Sequence, residues 1–167
     1  ADLVKDLPGD NEAKAETIDN NLQHEIVKKM SSNPVYYGKL SEMLKKIIMQ
    51  RKVAAMSYQE YLKQVVEMAE AILHPEDNGD YPDEVKNSAA RRALFDYFEE
   101  DLELTVDVDG AIRIAIRPAW KKNRQKQQKI RLAIYEKLLL HSYCKDKAEE
   151  ETNQVFDIAQ RQEEYDA

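Results

Sequence analysis

The sequence predicts an all-α chain of about six or seven helices, and three observations carry that expectation. Only 4 glycines and 5 prolines occur in 167 residues, too few punctuation points for a turn-rich sandwich or barrel. Charged residues make up 34% of the chain, well above the roughly 25% of an average globular protein, as long helices with solvated faces require. Apolar residues recur at three- and four-residue steps along most of the length, the spacing of one helix face. At this length a single core is the default.

Ala1 to Glu16 is acidic and polar without an apolar run, so it reads as a linker and not as a signal peptide. The domain is then expected over residues 17–167. Ile18, Leu22, Ile26 and Met30 recur every four residues, which predicts an amphipathic helix from Thr17 to Met30. Asn33-Pro34 ends it, because proline pushes the preceding residue out of the helical region and suits the first position of a new helix. That second helix carries Val35, Tyr36, Leu40, Leu44, Ile47 and Ile48 and runs to about Val53. Of Tyr36 and Tyr37, at least one is expected in the core.

Ser57-Tyr58-Gln59-Glu60 has the capping-box pattern, in which serine and glutamate reciprocally satisfy backbone N–H groups at a helix start. A third helix follows with Tyr61, Leu62, Val65, Met68, Ala69 and Ile72 inward, stopped by His74-Pro75 and the Asp77-Asn78-Gly79-Asp80 turn cluster. Asn87 or Ser88 caps a fourth helix with Ala90, Leu94, Tyr97 and Phe98 on one stripe, ending near Glu100. Arg91 and Arg92 flank that stripe, and pairing with Asp96 or Glu99 is the simplest expectation. Next, Leu102, Leu104, Val106 and Val108 alternate, Asp109-Gly110 is a hairpin dipeptide, and Ile112, Ile114 and Ile116 alternate again. Read locally, that is a β-hairpin. Beyond Pro118 and Trp120 a polar run reaches Lys129, after which Ile130, Ala133, Ile134 and Leu138 restore helical spacing. Val155, Ile158 and Ala159 mark a last helix in an acidic tail that contains Tyr165.

Several chemistries lack a signature. The single cysteine, Cys144, forms no internal disulfide and reads as a spectator thiol, and no apolar run approaches the roughly 20 residues of a membrane span; a cytoplasmic protein without membrane contact is expected. No Gly-x-x-x-x-Gly-Lys-Ser/Thr loop is present to cradle ATP. His24, His74 and His141 show no cysteine or carboxylate at a recognised zinc spacing. Asp107-Val108-Asp109-Gly110 fails the calcium-loop register, which would put Thr105 at the first ligand position and Ile116 at the bidentate acid. No catalytic residue, metal or cofactor is therefore assigned to this chain.

The most unusual feature is electrostatic. The chain has a net charge of −7, yet residues 111–131 hold eight bases and no acid: Arg113, Arg117, Lys121, Lys122, Arg124, Lys126, Lys129 and Arg131. A merely solvated helix face usually mixes signs, since glutamate four residues before lysine is mildly stabilising. Unmixed bases suit phosphate contacts, which bind without reading sequence. These eight are the candidate DNA-binding residues. The competing reading is a solvated face neutralised by the acidic stretches from Glu76 to Asp109 and after Asp146. Trp120 beside them is more often a core anchor than a base-stacking platform.

Asn33-Pro34-Val35-Tyr36-Tyr37, Leu40-Ser41, Leu44 and Tyr58 to Leu62 resemble the opening of the C-terminal region of type I restriction-modification R subunits. Tyr81-Pro82, Arg92 to Asp96, Asp109 to Arg113, Trp120 to Asn123, Lys129 to Ile134 and Gln162 to Tyr165 follow that family in order, from about Asn33 to Tyr165. One departure is Trp120-Lys121-Lys122-Asn123, where the family has Trp-Arg-Gly-Asn; the tight turn that glycine would favour is not assured. The resemblance implies a helix from about Asp107 to Arg117 in place of the hairpin. It also implies a non-catalytic assembly domain of an ATP- and Mg2+-dependent DNA translocase and endonuclease, docked on methyltransferase and specificity subunits beside the motor and nuclease domains of its own subunit. Double-stranded DNA is the expected ligand of the basic strip, and a protein-only adaptor is the alternative.

Overall fold

In the computed structural model, residues 11–78 and 81–166 are described, and all regular structure among them is helical. Seven helices are long: α1 (Asn11–Lys29), α2 (Pro34–Lys52), α3 (Tyr58–Leu73), α6 (Ala89–Tyr97), α7 (Leu102–Ala115), α8 (Arg124–Leu140) and α9 (Lys145–Gln160). Two single turns, α4 (Pro75–Asn78) and α5 (Asp83–Lys86), lie between α3 and α6. The chain divides between Asn78 and Tyr81 into two compact units, each with its own hydrophobic cluster. No described helix is long and apolar enough to cross a membrane.

Unit 1 is a three-helix bundle. Ile18, Leu22 and Ile26 of α1 pack with Tyr37, Leu40, Leu44 and Ile47 of α2 and Tyr61, Val65, Met68 and Ile72 of α3. Its helix starts follow the sequence closely. Asn33 accepts the Tyr36 N–H at 3.1 Å with Pro34 behind it, and Ser57 and Glu60 form the reciprocal box at 3.2 and 3.0 Å. Tyr37 is buried, and the Tyr36 hydroxyl donates to the Ala71 carbonyl at 2.9 Å. One boundary is corrected: α1 begins at Asn11 rather than Thr17. Ala15 is fully buried and its carbonyl accepts the Tyr61 hydroxyl, so residues 11–16 belong to the bundle and are not linker. The lead-in before Asn11 and the Gly79-Asp80 pair of the turn cluster lie outside the described residues.

In unit 2, α6, α7, α8 and α9 enclose Leu94, Val108, Ile112, Trp120, Ile134 and Phe156. Residues 102–115, where alternation suggested a hairpin, are the helix α7. Asp101 caps it by accepting the Leu104 N–H at 3.0 Å. Leu104, Thr105, Val108, Asp109 and Ile112 then form a helical stripe that is buried, while Ile114, in phase with them under a strand reading, is 76% exposed. Packing of that stripe overrides the local β-propensity of the valines and isoleucines. A tight turn forms before α8 without a glycine: Ala119 takes a left-handed φ of 59°, Trp120–Lys122 makes one 3-10 turn, and Asn123 caps α8 by accepting the Lys126 N–H at 3.1 Å.

Gly110 sits mid-helix with open space where a Cβ would project. Glycine there costs about 0.5–1 kcal/mol of helix stability relative to alanine. Gly110→Ala is expected to raise the stability of unit 2 by about that amount, read as a higher urea midpoint at unchanged slope.

Candidate nucleic-acid interface

The bases of residues 111–131 do not share one surface. Arg113 projects from the last turn of α7, Arg117 from the connector after it, Lys121 and Lys122 from the 3-10 turn, and the other four from α8. With about 100° between successive residues, Arg124, Gln127, Gln128, Arg131 and Tyr135 form one stripe of α8, and Lys126 and Lys129 fall on other sides of it. Opposite that stripe stands α9, presenting Glu149, Thr152 and Asn153. Between them lies an open groove of about 800 Å³ lined by Lys121, Lys122, Arg124 and Arg131 against the single carboxylate of Glu149.

The groove's bases differ in how they are held. Arg131 stacks over the Phe156 ring, 3.8 Å from guanidinium to centroid, and donates to Asn153 Oδ1 at 2.5 Å. Its remaining N–H groups are thereby aimed from a fixed plane. Lys121 lies over Trp120, donates to the Gln162 carbonyl at 3.0 Å and pairs with Asp166. Gln127 donates to the Lys121 carbonyl at 2.8 Å, which ties the turn to the first turn of α8. Lys122 and Arg124 are exposed and have no side-chain partner among the described residues. Outside the groove, Arg117 donates to the Ile114 and Ile116 carbonyls at the end of α7, Lys126 donates to the Pro118 carbonyl, and Lys129 is exposed. The groove thus gathers four of the eight candidates, together with amide and phenol groups of Gln127, Gln128, Asn153 and Tyr135. That donor set suits anions.

What fixes the turn is a network built on Asp109, whose side chain is completely buried. It accepts Arg91 Nε at 2.7 Å, Arg113 Nε at 2.8 and 3.0 Å, and the Tyr165 hydroxyl at 2.7 Å. Arg113 therefore serves the interior: it also reaches Glu164 at 3.0 Å and lies over the Tyr165 ring. Arg91 bonds neither Asp96 nor Glu99, contrary to the expectation from helix spacing, because Asp109 and the Glu84 carbonyl take its donors. Arg92 donates to the Lys86 carbonyl. Glu164 caps the start of α6, accepting the Ser88 hydroxyl at 2.6 Å and the Ala89 N–H at 2.5 Å. Trp120, fully buried as expected of a core anchor, donates from Nε1 to the Tyr165 carbonyl at 2.6 Å. The tail thus connects α7, α6 and the turn that carries Lys121 and Lys122.

Sequence spacing did not reveal this network, since its members come from positions 88, 91, 109, 113, 164 and 165. The only local signal was an aspartate at 109 inside an apolar run, four residues before Arg113. One further cluster was passed over: His74, Glu76 and Asp77 place possible ligand atoms within 4.8 Å of one another, on exposed or half-buried side chains of unit 1. Cys144 is exposed and unpaired in a disulfide. No family model, curated protein or solved structure matches the chain.

Burial would push the Asp109 carboxyl up, but hydrogen bonds from Arg113, Arg91 and Tyr165 outweigh it and hold it below its ordinary value. Glu164 is likewise lowered: burial opposes, and bonds from Ser88, Arg113 and the α6 backbone win. Burial and the neighbouring Asp109 raise the Tyr165 phenol. Depressed carboxylates contribute stability above their unfolded pKa that is lost as pH falls, and a raised phenol contributes stability below its unfolded pKa that is lost as pH rises. Unit 2 is therefore expected to be most stable between about pH 5 and 10, with urea midpoints falling on both sides. Asp109→Asn should flatten the acid limb and cost roughly 2–3 kcal/mol at neutral pH, less than a fully buried pair because both guanidiniums are partly exposed.

Proposed function

We propose that this chain is a non-catalytic assembly and DNA-handling module of the type I restriction R-subunit kind. In that reading it docks a motor subunit on a methyltransferase and specificity core, and the α8–α9 groove takes the backbone of the duplex that the motor moves. ATP and Mg2+ then act in the motor and nuclease domains, and the complex works in the cytoplasm. The observation that carries the DNA half is the groove itself, where Lys122 and Arg124 stand exposed beside the oriented guanidinium of Arg131. Such groups neutralise phosphates and release counterions without reading bases, which suits an enzyme that must travel over any sequence. The docking half rests on the ordered motifs from Asn33 to Tyr165. Those motifs implied a helix from about Asp107 to Arg117 where local alternation did not, and α7, which starts earlier at Leu102 and ends at Ala115, overlaps that stretch and supports it.

A protein-only adaptor is the second reading. It is favoured by one observation: Arg113, Arg117, Lys121, Lys126 and Arg131 all donate to groups within unit 2 and are only partly available to a ligand.

The two readings separate in a titration of a short duplex followed by fluorescence anisotropy at several salt concentrations. Lys122→Glu with Arg124→Glu is expected to weaken binding about tenfold or more and to reduce the salt slope by roughly 2, the value for two lost phosphate contacts. Lys129→Glu, on another side of α8, should change affinity less than about twofold. Equal affinity and slope in all variants contradict the DNA reading and leave the adaptor.

A further inference from the structure

Unit 1 carries a second groove, of about 630 Å³, along the α2–α3 seam. Its floor is apolar and buried: Leu40 and Ile47 from α2, Met68 and Ala71 from α3. The α2 rim is Lys39, Met43, Lys46 and Gln50, at steps of four, three and four residues, and therefore one straight stripe. Met43 is 51% exposed over that floor. On the α3 rim, Glu67 is engaged by Lys63 of its own helix at 3.9 Å. Lys39 and Lys46 are exposed and make no ion pair or hydrogen bond among the described residues. The groove is thus an apolar channel with two positive charges on one edge that form no ion pair among the described residues, separated by seven residues and about 10.5 Å of helix rise.

These features select the occupant. Both walls are helices whose backbone groups are internally bonded, so an extended strand finds no edge to pair with, whereas an amphipathic helix matches a straight apolar channel. The edge lysines ask for carboxylates at the same seven-residue repeat, flanking the occupant's apolar stripe. We propose that the α2–α3 groove receives an amphipathic helix of a partner protein, with an apolar face seated over Met43 and Leu40 and acidic residues seven apart paired with Lys39 and Lys46. This names the docking surface of the reading above, and rests on its docking half.

The probe is a synthetic helical peptide with leucines on one face and glutamates seven residues apart beside them, and a twin with lysines in place of those glutamates. Titrated into the full chain, the glutamate peptide is expected to shift amide resonances of α2 and α3 along the groove, and the twin to bind at least about tenfold more weakly. Lys39→Glu with Lys46→Glu should reverse that order, the lysine twin now binding better. Met43→Arg should abolish both. Equal binding of the two peptides, or shifts elsewhere, overturns the inference. So does a concentration-dependent dimer that Met43→Arg dissociates, which would make a second copy the occupant. A fall in duplex affinity in the Lys39→Glu/Lys46→Glu variant as large as that at Lys122 and Arg124 also overturns it, by assigning the lysines to nucleic acid. The peptide tests the groove without the methyltransferase core. A groove that binds the peptide on a chain that ignores the core overturns the docking reading alone, and a chain that holds the core with an idle groove overturns this inference alone.

Discussion

A carboxylate cut off from water must collect its hydrogen bonds from the protein, and at Asp109 that requirement organises unit 2. Its two oxygens take donors from α6, α7 and the C-terminal tail: Arg91, Arg113 and Tyr165. Placing Tyr165 there puts its carbonyl under Trp120 Nε1 and Gln162 beside Lys121, so the turn before α8 is positioned from below by residues far away in sequence. Glu164 in turn closes the start of α6 and completes Arg113. Compared with apolar packing of the same volume, such a network adds little net stability, but displacing any member strands a charge or a hydroxyl. It therefore penalises every arrangement of the tail except the one that builds the groove wall.

Unit 1 repeats the chemistry with different residues. Asp19 is buried, accepts the Tyr61 hydroxyl at 2.8 Å and Arg51 at 2.7 Å, and the Arg51 guanidinium lies over the Tyr61 ring and reaches Glu12. In both units an aspartate inside the core binds a tyrosine and an arginine, and a glutamate takes the arginine's remaining side. The two differ in completeness. Arg51 Nε is buried without a hydrogen-bond partner among the described residues, whereas Arg113 uses Nε on Asp109.

Features governed by neighbours in sequence were legible. Asn33-Pro34 and the Ser57/Glu60 box set helix starts through groups three residues apart, and spacing placed most of the inward faces of α1, α2 and α3, although in α2 it is Tyr37 that is buried while Val35, Tyr36 and Ile48 are half-buried. Where two local rules conflicted, spacing failed: period-two alternation at 102–116 is real, but the stripe that packs is 104, 105, 108, 109 and 112. Arg91 was misassigned because helix-neighbour reasoning cannot see a carboxylate eighteen positions away. The same blindness hid the tail network; the start of α1 was missed although Ala15 lies one turn before Ile18 on the same buried face. As for the eight bases, composition located the charge correctly. Only three dimensions show that Arg113, though partly exposed, is engaged by Asp109 and Glu164, that Lys121, Lys122, Arg124 and Arg131 share a groove, and that Gln127, Gln128 and Asn153 complete it.

The central claim is that the tail, the Trp120 turn and α7 are held as one piece by the Asp109 network, and that the basic groove inherits its shape from that piece. Hydrogen exchange of the full chain carrying Tyr165→Phe tests it most directly, since the substitution keeps the ring and removes one O–H from the buried carboxylate. The account predicts that amide protection falls together in α7, in the turn at Trp120–Lys122 and at the start of α8, by about 1–2 kcal/mol. Loss of protection confined to residues after Gln162, with α7 and the turn unchanged, would contradict it.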